Sequence, residues 1–314
     1  MNYLGIDLGG TNIAVGVVDD SFQIIARAKR KTRVPCSPDE MCSQLAEAAL
    51  EALGNAGLTV GDIPWVGIGT PGIANRDTGI LEYSNNLYFH DFEMQRLLSE
   101  RLGKKVIIEN DANAAAFGEY KAGALRGARN ALAVTLGTGV GSGIIIDGKI
   151  YAGSNFAGGE MGHTVIVAGG RQCTCGRKGC WEAYASATGL IAMTKESMQA
   201  HPESAMWKIA GSLEDVDGRT AFDAMRAGDG DGKGVVDQYL YYLACGLINC
   251  VNIFQPDILC IGGGISNEGE NILKPLREYL AKENYASRSK KQTVLCRAML
   301  GNDAGIVGAA LLGA

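Results

Sequence analysis

The sequence predicts an α/β protein of two lobes. Three observations carry that expectation: a length of 314 residues, strand and helix patterns that alternate from the first residues, and two glycine-turn hairpins 128 positions apart. A chain of this length exceeds the size at which one hydrophobic core keeps growing, so two packed lobes with a cleft between them are expected. Hydrophobic residues make up 46% and charged residues 20%, the composition of a chain that folds throughout.

Taking the elements in order, Tyr3 to Ile6 and Ile13 to Val18 are apolar, β-branched runs that flank Asp7-Leu8-Gly9-Gly10-Thr11-Asn12, which reads as a hairpin with a glycine turn. Residues 38 to 53 show helical periodicity with Pro38 in the first turn, and Trp65 to Thr70 returns to a short strand. A second glycine hairpin covers Leu132 to Asp147. Leu4, Leu8, Gly9 and Asp19 recur in it as Leu132, Leu136, Gly137 and Asp147, which points to a duplicated α/β unit. Residues 188 to 250 are helical in composition, and Gly228-Asp229-Gly230-Asp231-Gly232 is expected to break them as a flexible surface loop. Asp257 to Ile261 is a strand ending in Gly262-Gly263-Gly264, a helix follows after Asn267 and runs to about Lys282, and Gly305 to Leu312 suits a closely packed helix.

Several function classes are excluded. A net charge of −5, with 29 Lys and Arg, does not supply the clustered cations that a nucleic-acid partner requires. The N-terminal residues lack the basic lead and apolar run of a signal peptide. Nowhere do 18 consecutive apolar residues occur, so a cytoplasmic protein without a membrane partner is expected. Nine cysteines in such a chain do not form a disulfide framework, and six of them are scattered among apolar neighbours as small buried hydrophobes.

Both glycine turns, Gly9-Gly10-Thr11-Asn12 and Gly137-Thr138-Gly139, offer backbone N–H groups without Cβ obstruction, as phosphate oxygens need; each taken alone also reads as a plain hairpin turn. Neither is a Walker A loop or a dinucleotide fingerprint, since strands follow them. Asp7 beside such amides would repel a nucleotide unless a divalent cation intervened, which implies Mg²⁺. Asn110-Asp111 sits between the strand Val106 to Glu109 and a helix from Ala112. Asp111 there either caps the helix or serves as the base that receives a hydroxyl proton, for which an ordinary carboxylate suffices, and Asn110 suits a neighbouring hydroxyl. Cys173, Cys175, Cys180 and His163, set among glycines, match a four-coordinate structural Zn²⁺ site. Metal on one ring nitrogen of His163 makes the other a fixed N–H donor, and Glu160 and Glu182 lie close in sequence; these carboxylates suit sugar hydroxyls or simply solvent.

On these residues the chain resembles the bacterial ROK-family sugar kinases, most like the glucokinases among them, over essentially its whole length. Asp7-Leu8-Gly9-Gly10-Thr11-Asn12 is similar to the family's first phosphate motif, Gly137-Thr138-Gly139 to its second, and Gly262-Gly263-Gly264 to the segment bordering the adenosine of ATP. Glu109-Asn110-Asp111-Ala112-Asn113-Ala114 resembles the catalytic segment, which implies Asp111 as base and Asn110 as a sugar contact. Glu160-Met161-Gly162-His163 and the run from Cys173 to Glu182 resemble the zinc and sugar-binding signature, implying roles for Glu160, His163 and Glu182. Gly69-Thr70-Pro71-Gly72 and Asn85-Asn86-Leu87 look like sugar-site loops, with Gly72 and Asn86 as contacts, although Tyr88-Phe89-His90 departs from the commoner tryptophan-containing version.

The resemblance further implies an actin-like ATPase (ribonuclease H-like) fold with a central cleft: a small lobe of residues 1–118 plus about 298–314, and a large lobe of 119–297 carrying the zinc loop and the helical segment. It implies phosphorylation of a hexose, glucose first, at the 6-hydroxyl with ATP and Mg²⁺, and a homodimer or homotetramer. Other hexoses, namely N-acetylmannosamine, N-acetylglucosamine, allose and fructose, remain open as substrates. A sugar-sensing repressor of the same family is disfavoured, because the first phosphate strand begins by residue 3 with no DNA-binding helices before it.

Overall fold

In the computed structural model, which describes residues 1–314, the chain begins with β1 (Tyr3–Leu8), β2 (Asn12–Val18), β3 (Ile24–Lys31) and α1 (Pro38–Asn55). It continues through β4 (Val66–Thr70), β5 (Ile73–Asn75), β6 (Ile80–Ser84), β7 (Phe89–Phe92), α2 (Met94–Leu102), β8 (Val106–Asn110) and α3 (Asp111–Ala122). Next come β9 (Ala131–Leu136), β10 (Val140–Ile146), β11 (Lys149–Ile150), α4 (Glu182–Ala185), α5 (Ala187–Ala200), α6 (Met206–Ala210), α7 (Thr220–Arg226) and α8 (Gly230–Phe254). The last elements are β12 (Ile258–Gly262), α9 (Glu270–Glu283), β13 (Val294–Arg297) and α10 (Ala304–Ala310).

The hairpin patterns fold as read. Strands β1, β2 and β3 form an antiparallel meander, and β1 pairs in parallel with β4, which pairs in parallel with β8, giving the order β3-β2-β1-β4-β8. A second sheet has the order β11-β10-β9-β12-β13, again a meander whose first strand leads on to two later strands. The two orders are the same, so the repeat seen at an offset of 128 is present as a repeated topology. A smaller sheet, β5-β6-β7, is an antiparallel meander.

The chain divides into two compact units. One comprises Met1–Ala133, Gly143–Gly159 and Ala298–Ala314; the other comprises Val134–Ser142 and Glu160–Arg297. The boundary expected at 118/119 is corrected by this division: it would cut α3 before its last turn, and an unbroken ladder of helix hydrogen bonds keeps that turn with its own unit. The first unit, not the second, holds more of the chain.

In the first unit, Ser37 and Glu40 form a reciprocal capping box and Pro38 opens α1, which lays Met41, Leu45, Ala49 and Leu53 into the core. Helix α10, AGIVGAA, is buried along its whole length and packs on β1, β4 and α3. Its approach is so close that a Cβ on Gly67 would stand 1.8 Å from the Ala309 carbonyl oxygen, so glycine is required in the strand beneath it.

In the second unit, the glycine and aspartate run 228–232 is not a flexible loop. Asp229 caps α8, accepting the Gly232 N–H at 2.6 Å, the Ala205 N–H at 2.7 Å and the Ser204 hydroxyl at 3.1 Å. Glycine disfavours helix locally, but the cap and the long apolar helix behind it outweigh two or three such residues. No helix is long and apolar enough to cross a membrane.

Glu119, near the end of α3 and 2% exposed, accepts N–H groups from Ala124, Met299 and Leu300 at 2.8, 3.1 and 2.7 Å, fixing the start of the C-terminal segment. Glu119→Ala is expected to cost about 1–3 kcal/mol, since it removes the shared partner of three part-buried backbone donors. A urea titration reads this as a lowered midpoint, with Glu119→Gln recovering part of the loss; an unchanged midpoint for the Ala variant would remove Glu119 as a clamp.

Candidate active site

In the first unit, the parallel register brings Asp7 of β1 opposite Gly69 of β4, and Gly69 and Thr70 opposite Glu109 and Asn110 of β8. Asp7 and Asp111 therefore meet at the C-terminal ends of parallel strands, where α/β sheets place their ligands. The Asp7 carboxyl is pushed up from 3.8 to about 6, by burial first and by the Asp111 charge second. The first glycine turn closes through the Gly9 N–H to the Asn12 carbonyl at 2.9 Å and is braced by the Thr32 hydroxyl on the Gly9 carbonyl at 2.7 Å. Asn86 packs beside Gly10, so the loop with the tyrosine-phenylalanine-histidine departure joins the phosphate turn.

The helix cap at the junction is Asn110, not Asp111. Asn110 Oδ1 accepts the Ala112 and Asn113 N–H groups at 2.9 and 3.1 Å, and its Nδ2 donates to the Gly72 carbonyl at 3.1 Å. Asn110 thus keeps one amide hydrogen for a ligand. Asp111, the first residue of α3, is released from capping, and only its Oδ1 is engaged, by the Ala112 N–H at 2.8 Å. Its carboxyl is raised by burial, against the opposing pull of backbone N–H groups. Where the sequence suggested an ordinary carboxylate, burial therefore makes this one hold its proton more tightly.

In the second unit, the turn Gly137–Gly139 is held from outside. The Ala187 N–H donates to the Gly137 carbonyl at 2.9 Å, the Thr188 hydroxyl to the Thr138 carbonyl at 2.8 Å, and the Val140 N–H to Glu182 Oε2 at 3.0 Å. Gly263, at the end of β12, lies directly on Leu136, which brings Gly262, Gly263 and Gly264 beside the turn. Glu182 is not simply a solvated carboxylate: Oε2 braces the turn, and Oε1 accepts from the Thr174 hydroxyl at 3.3 Å. Glu160 is exposed at the head of the short turn that carries His163, a turn fixed by the Met161 N–H on Ser142 Oγ at 3.2 Å.

His163, Cys173, Cys175 and Cys180 present four ligand atoms within 4.8 Å of one another. The loop is drawn together by the Cys173 N–H on the Arg177 carbonyl, the Ile166 N–H on the Gly179 carbonyl and the Trp181 N–H on the Thr164 carbonyl. Cys175 and Cys180 sulfurs stand 3.6 Å apart, too far for a disulfide, and Cys173 Sγ is 3.7 Å from His163 Nδ1. Tetrahedral Zn–S bonds of about 2.3 Å and a Zn–N bond of about 2.0–2.1 Å require sulfur–sulfur and sulfur–nitrogen edges of about 3.8 and 3.6 Å, so the donor set and its spacing fit that ion. With Nδ1 in the cluster, Nε2 is the N–H donor left to His163.

Sequence reasoning missed the braces: Thr188 behind the second turn, and Glu109 with Arg76 behind the junction. Thr188 carried no signal, because its partner is a backbone carbonyl 50 positions away. A charged Glu109 at the end of an apolar strand was such a signal, since a buried carboxylate must find partners.

Because the folded Asp7 carboxyl titrates near 6 and the unfolded one near 3.8, the unfolded state loses its proton first as pH rises. Stability therefore falls from about pH 4 to about pH 6, by about 3 kcal/mol in full. Asp7→Asn is expected to raise unfolding free energy by about that amount at pH 7.5 and by little at pH 4. Urea titrations at the two pH values check this, and an equal effect at both would eliminate the ionised carboxyl as the cause.

The ROK family matches residues 3–314 of the chain. The glucokinase of Thermotoga maritima is 38% identical over 99% of this chain and 96% of its own length. A ROK family glucokinase from Streptomyces griseus, solved in complex with glucose and AMPPNP, is 34% identical with a TM-score of 0.82, over 99% of this chain and 98% of that one. The ROK hexokinase from Thermus thermophilus is 34% identical with a TM-score of 0.80, over 99% and 97% of the two chains. The repeated strand order is thus that of the actin-like ATPase (ribonuclease H-like) fold, and the chain belongs to the ROK family.

Proposed function

We propose that this protein transfers the γ-phosphoryl group of ATP to the 6-hydroxyl of glucose, with Asp111 as the base. The observation that carries this reading is Asp111 itself: a carboxyl raised by burial, relieved of capping by Asn110, with Oδ2 uncommitted at the end of a parallel sheet. The near full-length identity to glucokinases supports glucose as the acceptor.

Phosphoryl transfer to an alcohol asks the protein mainly for positioning and charge stabilisation. Asp111 orients the attacking hydroxyl and receives its proton as the oxygen–phosphorus bond forms. The remaining Asn110 amide hydrogen, with Gly72, Asn86, Glu160, His163 and Glu182, is assigned to the other sugar hydroxyls. The amides of Gly9, Gly10, Thr11 and Asn12 and of Gly137, Thr138 and Gly139 are assigned to phosphate oxygens, and Gly262 to Gly264 to the adenosine. Asp7, a hard oxygen donor whose burial beside Asp111 calls for positive charge, is assigned to Mg²⁺, which with the nucleotide spreads the charge on the transferring group. The cytosol, where ATP and hexose meet, is the assigned compartment, and a homodimer or homotetramer follows from the family resemblance.

Asp111→Ala is expected to lower kcat by about 10²–10⁴-fold with glucose affinity within a few fold of the parent, because a base acts on the moving proton more than on the bound ground state. Glucose binding by calorimetry and steady-state turnover check the two halves. Specificity constants across glucose, N-acetylglucosamine, N-acetylmannosamine, allose and fructose are expected to favour glucose, and a preference for another sugar overturns that assignment.

The cluster of His163 and three cysteines is assigned to Zn²⁺, at one ion per chain, which when bound fixes the loop and the His163 tautomer. Its anchor is Trp181, buried beside Cys180, whose indole N–H donates to the Tyr242 carbonyl at 3.0 Å and whose ring lies where a Cβ on Gly246 of α8 would stand, 2.0 Å away. Gly246→Ala is expected to displace Trp181 and raise zinc loss to a chelator about tenfold or more, the size of a strain of about 1–3 kcal/mol. Elemental analysis and a competing dye measure it; unchanged retention would dissociate the tryptophan from the metal loop.

A further inference from the structure

The turn of the β5–β6 hairpin is rigid for its length. Asn75 Oδ1 accepts the N–H groups of Asp77 and Thr78 at 3.0 and 3.1 Å, and the Gly79 N–H closes on the Asn75 carbonyl at 2.8 Å. That turn presents Arg76, whose Nη1 stands 3.0 Å from Oε2 of Glu109. Glu109 is 1% exposed, and its other oxygen accepts the Asn110 backbone N–H and the Asn113 side-chain amide, both at 3.0 Å. One carboxylate therefore faces a cation from the hairpin turn and accepts donors from the residue before Asp111 and from the first turn of α3.

An ion pair between a buried carboxylate and a partly exposed guanidinium is weak evidence for net stability, so its presence calls for a positional explanation. We propose that Glu109 is a positioning residue for Asp111, with Arg76 as its counter-ion, so that the β5–β6 hairpin and the catalytic junction are held in one arrangement. The inference rests on the reading of Asp111 as the base. The hairpin ends at Ser84, and the chain after it bears Asn86. The clamp thus fixes the acceptor-side loop and the base together, and a displacement of about 1 Å between such groups costs about 100-fold in rate. Burial pushes the Glu109 carboxyl up, while Asn113, Arg76 and the Asn110 N–H oppose that rise.

The test is steady-state kinetics of Arg76→Met, Arg76→Lys, Glu109→Gln, the Met/Gln double variant and Asp111→Ala, with glucose and MgATP varied separately. Arg76→Met and Glu109→Gln are each expected to lower kcat/KM for glucose by about 10–100-fold with the KM for ATP within twofold. The double variant is expected to be no worse than the worse single, and Arg76→Lys to recover most of the loss, which general loosening would not reproduce. Glucose kcat/KM within twofold of the parent, or equal losses for glucose and ATP, overturns the proposal. Should Glu109→Gln fail to fold, the Arg76 pair of variants decides alone, since Arg76 is about one-third exposed. Asp111→Ala separates the two claims: turnover retained there refutes the base, whereas an inactive Asp111→Ala beside unaffected Arg76 and Glu109 variants refutes only the clamp.

Discussion

Two carboxyl groups that repel one another, Asp7 and Asp111, are held at the same end of a parallel sheet, and much of the first unit serves to keep them there. Their separation follows from strand register: Asp7 faces Gly69, and the β4–β8 pairing places Asp111 one residue past the end of β8. Desolvation and mutual repulsion both raise the proton affinity of Asp7, so the arrangement is costly in the absence of positive charge. Such a cost is tolerable where a phosphate-bound cation supplies the compensation, and it is hard to reconcile with a merely structural sheet end.

The second sheet repeats the strand order of the first. At its end the turn Gly137–Gly139 is supported by Glu182 on the Val140 N–H and, from α5, by Thr188 on the Thr138 carbonyl. Each copy of the repeated topology thus carries a glycine turn, beside Asp7 and Asp111 in the first and braced by Glu182 and Thr188 in the second.

Much of this was legible in the sequence, for reasons that are themselves physical. The hairpins were readable because alternation of β-branched residues around glycine is a local signal, and the cysteine cluster because metal ligands must crowd within a short loop. What escaped depended on distant partners. The run Gly228 to Gly232 reads as a loop until Asp229 is seen to gather Ser204 and Ala205. The lobe boundary was misplaced because nothing in residues 119–133 reveals which neighbours will claim them.

Helix α3 has a mechanical consequence. Its twelve residues span about 18 Å, with Asp111 at the head and Glu119 gripping the amides of Met299 and Leu300 near the tail. Close packing against α10 leaves it no room to bend. The helix ties Asp111 at one tip to the backbone of Met299 and Leu300 at the other, so the proposed base and the C-terminal segment share a single support.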